Sequence, residues 1–224
     1  MPRNHDRGFT LIELLIVVAV IAILAMMAVP NLLSTRVTSN ETVAIAALRS
    51  VVTAQLQCQM HAVVDSDGDG RGEALGLDEM CGTRLLRTGA ELLNPPSLPP
   101  SLGIVDANGN VSSRGYLLRL YLPDASGAGL PATAGNAGSV DADLAEVYWS
   151  CVAWPQTRAA SGNLAFYTNQ TGDILSCIDS VYDGASNGPA AGAALNVASP
   201  NMLVGGTPAP GGTAADGRRW KIVR

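Results

Sequence analysis

Arg7-Gly8-Phe9-Thr10-Leu11-Ile12-Glu13-Leu14-Leu15-Ile16 opens an apolar run that continues to Val29 and holds one charge, Glu13. As a helix rising ~1.5 Å per residue, residues 9–29 cover about 30 Å, the thickness of a bilayer core. A secretory signal peptide has a shorter apolar core, with its small-residue cleavage site behind it. Here the small residue, Gly8, comes first. A carboxylate inside a transmembrane helix costs roughly 2.5–3.5 kcal/mol on insertion scales and normally has a partner. Glu13 therefore calls for a cation.

The short basic leader ending in Gly8, followed by Phe9-Thr10-Leu11-Ile12-Glu13-Leu14, resembles the signal of type IV pilins and of the pseudopilins of type II secretion. The resemblance implies cutting after Gly8 by a membrane-embedded prepilin peptidase and methylation of the new terminal amine on Phe9. It further implies that Glu13 meets that amine on a neighbouring subunit, which would supply the cation. Pro30-Asn31-Leu32-Leu33 and Asn40 to Arg49 read like the helix of such proteins, and Phe166 to Ile174 like their last strand pair. The implied division is a leader over 1–8, a membrane and filament-core helix over 9–29, an amphipathic continuation over 30–61 and a sheet domain over 62–224.

Composition agrees with one globular unit beyond the anchor. The formal charge of −5 becomes −6 when Arg3, Arg7 and Asp6, a net +1, leave with the leader. An acidic chain is a poor general partner for nucleic acid, whose binding is driven largely by Lys and Arg. Arg3 and Arg7 precede the apolar run and Arg36 follows it. That bias favours a cytoplasmic N-terminus with the bulk outside. The expected location is a single-pass inner membrane protein that later enters an extracellular pilus or a periplasmic pseudopilus.

Pro30 removes a helix hydrogen bond, so a kink or local melting near Met26 is expected. The helix then resumes to about His61. Ala44, Ile45, Ala47, Leu48, Val51, Val52, Ala54, Leu56 and Cys58 share one broad face, opposite Arg49, Ser50, Thr53 and Gln57. Residues 116–122, 147–154, 164–167 and 174–178 carry strand composition, and 168–173 a hairpin turn. The expected fold is α+β: a long helix packed on an antiparallel sheet of about four strands, with 218–223 as a further edge strand or a solvated tail. Residues 183–216, rich in Gly, Ala, Pro and Ser, read as a mobile surface loop.

Cys58, Cys81, Cys151 and Cys177 all lie in the exported part. An even count there suggests two disulfides. Sequence nearness favours Cys58 with Cys81, leaving Cys151 with Cys177. A simple meander would hold that second pair about 9–10 Å apart, beyond the ~7 Å limit, so crossed pairing stays open.

Asp65-Ser66-Asp67-Gly68-Asp69-Gly70-Arg71-Gly72-Glu73 matches the first half of an EF-hand loop. Oxygens at its first, third and fifth places converge on calcium. The Arg71 carbonyl and Glu73 are further candidate ligands. The twelfth place is Gly76, with Asp78 or Glu79 as substitutes if the chain folds back. The alternative is a solvated acidic turn.

Support for catalysis is thin: no GxxxxGKS/T or HExxH is present, and His5 and His61 are the only histidines. Trp149, Trp154 and Trp220 read as sheet packing. Two function classes remain. One is a non-enzymatic pilin-like subunit whose partners are like subunits, the peptidase and an inner-membrane assembly platform, with a pseudopilin as its variant. The other is a membrane-anchored, calcium-dependent adhesin that never polymerises.

Overall fold

The computed structural model describes residues 9–89, 91–177 and 180–223. Gly8, Ile178 and the leader lie outside them. Helix α1 spans Leu11–Met60 and is followed by two short helices, α2 (Leu77–Met80) and α3 (Ala142–Ala145). The strands are β1 (Asn110–Ser113), β2 (Tyr116–Pro123), β3 (Gly129–Pro131), β4 (Ser150–Pro155), β5 (Ala165–Asn169), β6 (Ile174–Cys177) and β7 (Trp220–Ile222). They form one antiparallel sheet in the order β1-β2-β4-β5-β6-β7, with β3 sharing the outer edge of β2 with β1. The α+β architecture expected from sequence is present, with seven strands in place of about four. The two strands without a sequence signal, β1 and β3, are short and rich in Asn, Ser, Gly and Pro, so neither shows apolar alternation.

α1 runs unbroken through Pro30. No local melting occurs, and Ser34 and Thr35 donate their hydroxyls to the carbonyl of Asn31 just beyond the proline. Every residue from 9 to 36 is exposed, and Val37 is the first that is buried. From there Ala44, Leu48, Val51, Ala54 and Cys58 recur at helical spacing and face the sheet. Leu56, expected on the buried face, is not there. Leu56 is 58% exposed, whereas Gln55 is fully buried. The Gln55 amide donates to the carbonyl of Leu75 and its oxygen accepts the Leu75 N–H, so a polar side chain completes the backbone pairing of a loop.

Side chains alternate across the sheet. Tyr116, Leu118, Leu120, Cys151, Ala153 and Phe166 face α1. Tyr121, Val152, Trp154, Tyr167, Leu175 and Trp220 face the other way and are equally buried. What covers them is the segment expected to be a mobile loop. Its Ala191, Ala193, Ala194, Leu195, Leu203 and Ala214 are buried on the sheet, without forming a strand of their own. The small residues are the reason. A Cβ at Gly188 would lie 2.5 Å from Cζ2 of Trp154. The strap contributes close approach while the sheet contributes the aromatic area. All three tryptophans are core residues, as their strand context implied.

Candidate assembly segment and acidic loop

α1 begins with a capping box. Thr10 N–H and its hydroxyl donate to one Glu13 carboxylate oxygen at 2.9 and 2.7 Å, and Glu13 N–H donates to the Thr10 hydroxyl at 3.3 Å. Within the chain, then, the partners of Glu13 are donors of its own first turn. Phe9 precedes this turn and is 76% exposed. The helix holds a window long and apolar enough to cross a membrane, and no other described residue covers it.

A family model for the prokaryotic N-terminal methylation motif matches residues 3–29. The type IV wide pilus major component PilA4 of Thermus thermophilus is 54% identical over 57 residues, 25% of this chain and 44% of that protein. The type IV major pilin protein PilA of Myxococcus xanthus is 52% identical over 54 residues, 24% of each chain. The first quarter of the chain is thus similar to the corresponding segment of two type IV pilins. The matches span less than half the length of these curated relatives. No solved structure matches the chain significantly.

At the far end of α1 lies the acidic loop. Asp65 accepts from the N–H groups of Gly68 and Gly70, Asp67 from Asp69 N–H, and Asp69 from Arg71 N–H. Gly68 and Gly70 have φ of +78° and +89°, which is why glycine stands at both turns. Carboxylate oxygens of Asp65, Asp67 and Asp69 lie within 4.8 Å of one another. The structure adds two acids that lie outside the sequence motif. Oxygens of Asp143 and Glu146, at the end of α3, come within 4.8 Å of each other and of Asp67. Gln59 of α1 places them by donating to the Glu146 carbonyl. Arg71 is the cation beside them, 3.3 Å from Glu146 and 3.9 Å from Asp69.

Glu73 does not join this group. It is 2% exposed, accepts Ser66 N–H through one oxygen and pairs with Arg87 at 2.9 Å through the other. Nor do Asp78 and Glu79 fold back toward the loop. Asp78 meets Arg84 at 2.6 Å, and Glu79 lies 3.5 Å from both Arg84 and Arg87. These acids belong to a buried ion network that pins residues 73–87 beside α1. Its signal in the sequence is weak, because the pairs combine i,i+5, i,i+6, i,i+8 and i,i+14 spacings that no single helix would bring together.

The cysteines need one correction. Cys151 faces α1 and Cys177 faces the strap, with β5 between their strands. Opposite faces of a sheet cannot be bridged by a bond that holds Cα atoms within about 7 Å. Cys58, Cys81 and Cys151 carry free thiols. Cys58 and Cys81 lie in the same core on either side of residues 97–99: Cys58 is 3.5 Å from the Ser97 hydroxyl, and Cys81 donates to the Pro99 carbonyl at 3.2 Å. Burial pushes the Cys81 thiol up to about 12, with the nearby Asp78 charge adding to it, and burial also raises Cys58. His61 is the exposed C-terminal cap of α1, in keeping with a surface role.

Proposed function

We propose that the chain is the structural subunit of a type IV pilus-like filament. A prepilin peptidase cuts after Gly8, the subunit waits in the membrane with its domain outside, and an inner-membrane platform feeds it into a polymer of like subunits. One observation carries this reading: a 50-residue helix whose first half is an uncovered apolar rod and whose second half is the core of a folded domain. A rod of that kind has two natural solvents, lipid and a bundle of its own copies. Glu13 is costly in the first and gains a partner in the second, where a neighbour's Phe9 amine is positively charged. The names of the two relatives favour a pilus over a secretion pseudopilus or a solitary adhesin. The reading is that of a non-enzymatic subunit.

The test is to purify surface filaments and sequence the first residues of their subunit, with a Glu13→Ala variant alongside. Methylated Phe9 as residue one, together with loss of filaments and retention of membrane protein in the variant, is the expected result. A filament-free chain that keeps residues 1–8 in a host possessing the peptidase would overturn the reading.

We further propose calcium at the loop of Asp65, Asp67 and Asp69, with Asp143 and Glu146 as additional oxygen donors in place of Glu73. Two carboxylate triads that share Asp67, with Arg71 beside them, offer the hard oxygen donors that ion takes. Millimolar calcium should raise the thermal midpoint of the domain, and Asp67→Asn should abolish the rise. An equal midpoint with calcium and with a chelator would remove calcium from the account.

A further inference from the structure

The strand register gives the domain two ends of opposite charge. Tyr116, Pro155, Ala165, Cys177 and Trp220 lie at one end of the sheet, the end at which α1 arrives. There Asn40 donates to the Ser161 carbonyl and Glu41 accepts from Asn163 N–H, fixing the helix to the β4–β5 loop. Arg114 in the β1–β2 turn, Arg158 in the β4–β5 loop and Arg219 before β7 are exposed at this end, with Arg36 on α1 just outside it. None of the four guanidinium groups has a hydrogen bond or ion pair among the described residues. Three carboxylates at the same end keep their charge while accepting from neutral donors, Glu41 from Asn163 N–H, Asp183 from Arg158 N–H, and Asp216 from Tyr182 and Trp220, so the four arginines remain in excess. The opposite end carries the acidic loop. In a chain of net charge −5, four exposed arginines thus gather where the apolar helix leaves the domain, while Arg49 and Lys221 are exposed elsewhere.

We infer that this basic rim rests on anionic lipid headgroups while the helix lies in the bilayer. The distances support contact. From Val29, the end of the apolar run, to Val37, where burial begins, eight helical residues rise about 12 Å. A headgroup layer is roughly 5–7 Å deep on each side, and an arginine side chain on the rim spans the remainder. The acidic end points away, so the field of an anionic leaflet holds the domain upright on its stalk. The inference rests on the membrane stage of the proposed function and not on polymerisation.

The full-length protein is reconstituted in vesicles of phosphatidylcholine alone or with phosphatidylglycerol, and amide hydrogen exchange is followed at residues 113–115 and 156–163. Near an anionic leaflet each arginine favours the docked state by roughly fivefold. Exchange there should slow several-fold in the anionic vesicles and recover in high salt. The triple variant R114Q/R158Q/R219Q should lose the protection, and the matching lysine variant should keep it. Equal exchange in both lipids overturns the inference. So does protection that is independent of lipid charge and rises with protein concentration, which would assign the rim to contact between copies. A chain that floats with neither vesicle overturns the membrane stage of the proposed function and the inference with it.

Discussion

The two halves of α1 share one backbone and differ in what surrounds them. From 9 to 36 every residue is exposed, with no described part of the chain covering the helix, and up to Val29 its apolar character is interrupted only by Thr10 and Glu13. From Val37 onward only one stripe is apolar, and that stripe is buried on the sheet. A helix apolar all round is specified by its solvent, and one with a single apolar face by its partner. The first half should therefore tolerate exchange among apolar residues, while the second should not tolerate even a change of volume. Leu48→Ala should lower domain stability by about 2–5 kcal/mol. Leu15→Ala should leave the thermal midpoint in detergent unchanged. Equal effects would mean that the two halves fold as one unit and would break the comparison.

Gln55 sharpens it. The residue sits within the apolar stripe yet is polar, and it satisfies both backbone groups of Leu75. Gln55→Leu would improve the stripe as a pattern but leave a buried donor and acceptor without partners, at a cost of about 1–3 kcal/mol. Denaturant unfolding should place this variant below the wild type. A gain in stability would show the stripe to be governed by hydrophobicity alone.

That position also marks where sequence reading stops. Period and composition are local, and they located α1, the strands β2, β4, β5 and β6 and the hairpin between β5 and β6, while leaving β7 open between an edge strand and a solvated tail. They placed Leu56 inside and did not single out Gln55, because burial there is decided by where residue 75 returns. The strap over the second sheet face was missed for a related reason. Its own residues offer little apolar area, and only the sheet reveals that Trp154, Tyr167 and Trp220 need a cover. At the acidic loop the three aspartates were legible as a motif. Asp143 and Glu146 were not, since their approach depends on α3 docking against Gln59. The assembly segment was the most legible part of all, because a charge in an apolar run is conspicuous without any fold.

The packed half should also carry a pH signature. Cys81, beside the end of α1, keeps its proton up to about 12 in the fold, against 9.0 for an ordinary thiol. Above 9 the unfolded chain sheds that proton while the folded chain retains it. The contribution is therefore complete below 9 and is lost as pH rises toward 12. Alkaline unfolding of the wild type should be steeper than that of Cys81→Ala when each is compared with its own stability at neutral pH. The thiolate is the reactive form, so iodoacetamide at pH 8 should leave the native thiol untouched and alkylate it on unfolding. Rapid native alkylation would mean that this end of the core opens readily.

The smallest effect is the most discriminating, because it separates two roles that Glu13 holds at once. Its carboxylate closes the capping box with Thr10, and its charge is the one that lipid disfavours. Thr10→Ala removes the side-chain cap and keeps the charge; by the usual cost of a lost N-cap it should weaken the first turn by about 0.5–2 kcal/mol. Glu13→Gln does the reverse, since glutamine can close the same box. Neither change should alter the domain's thermal midpoint, because residues 9–36 are all exposed. Counted as filaments, Thr10→Ala should assemble at a reduced yield and Glu13→Gln should fail. Full assembly by Glu13→Gln with failure of Thr10→Ala would reduce the carboxylate to a helix cap and leave the apolar rod to choose its neighbours by packing alone.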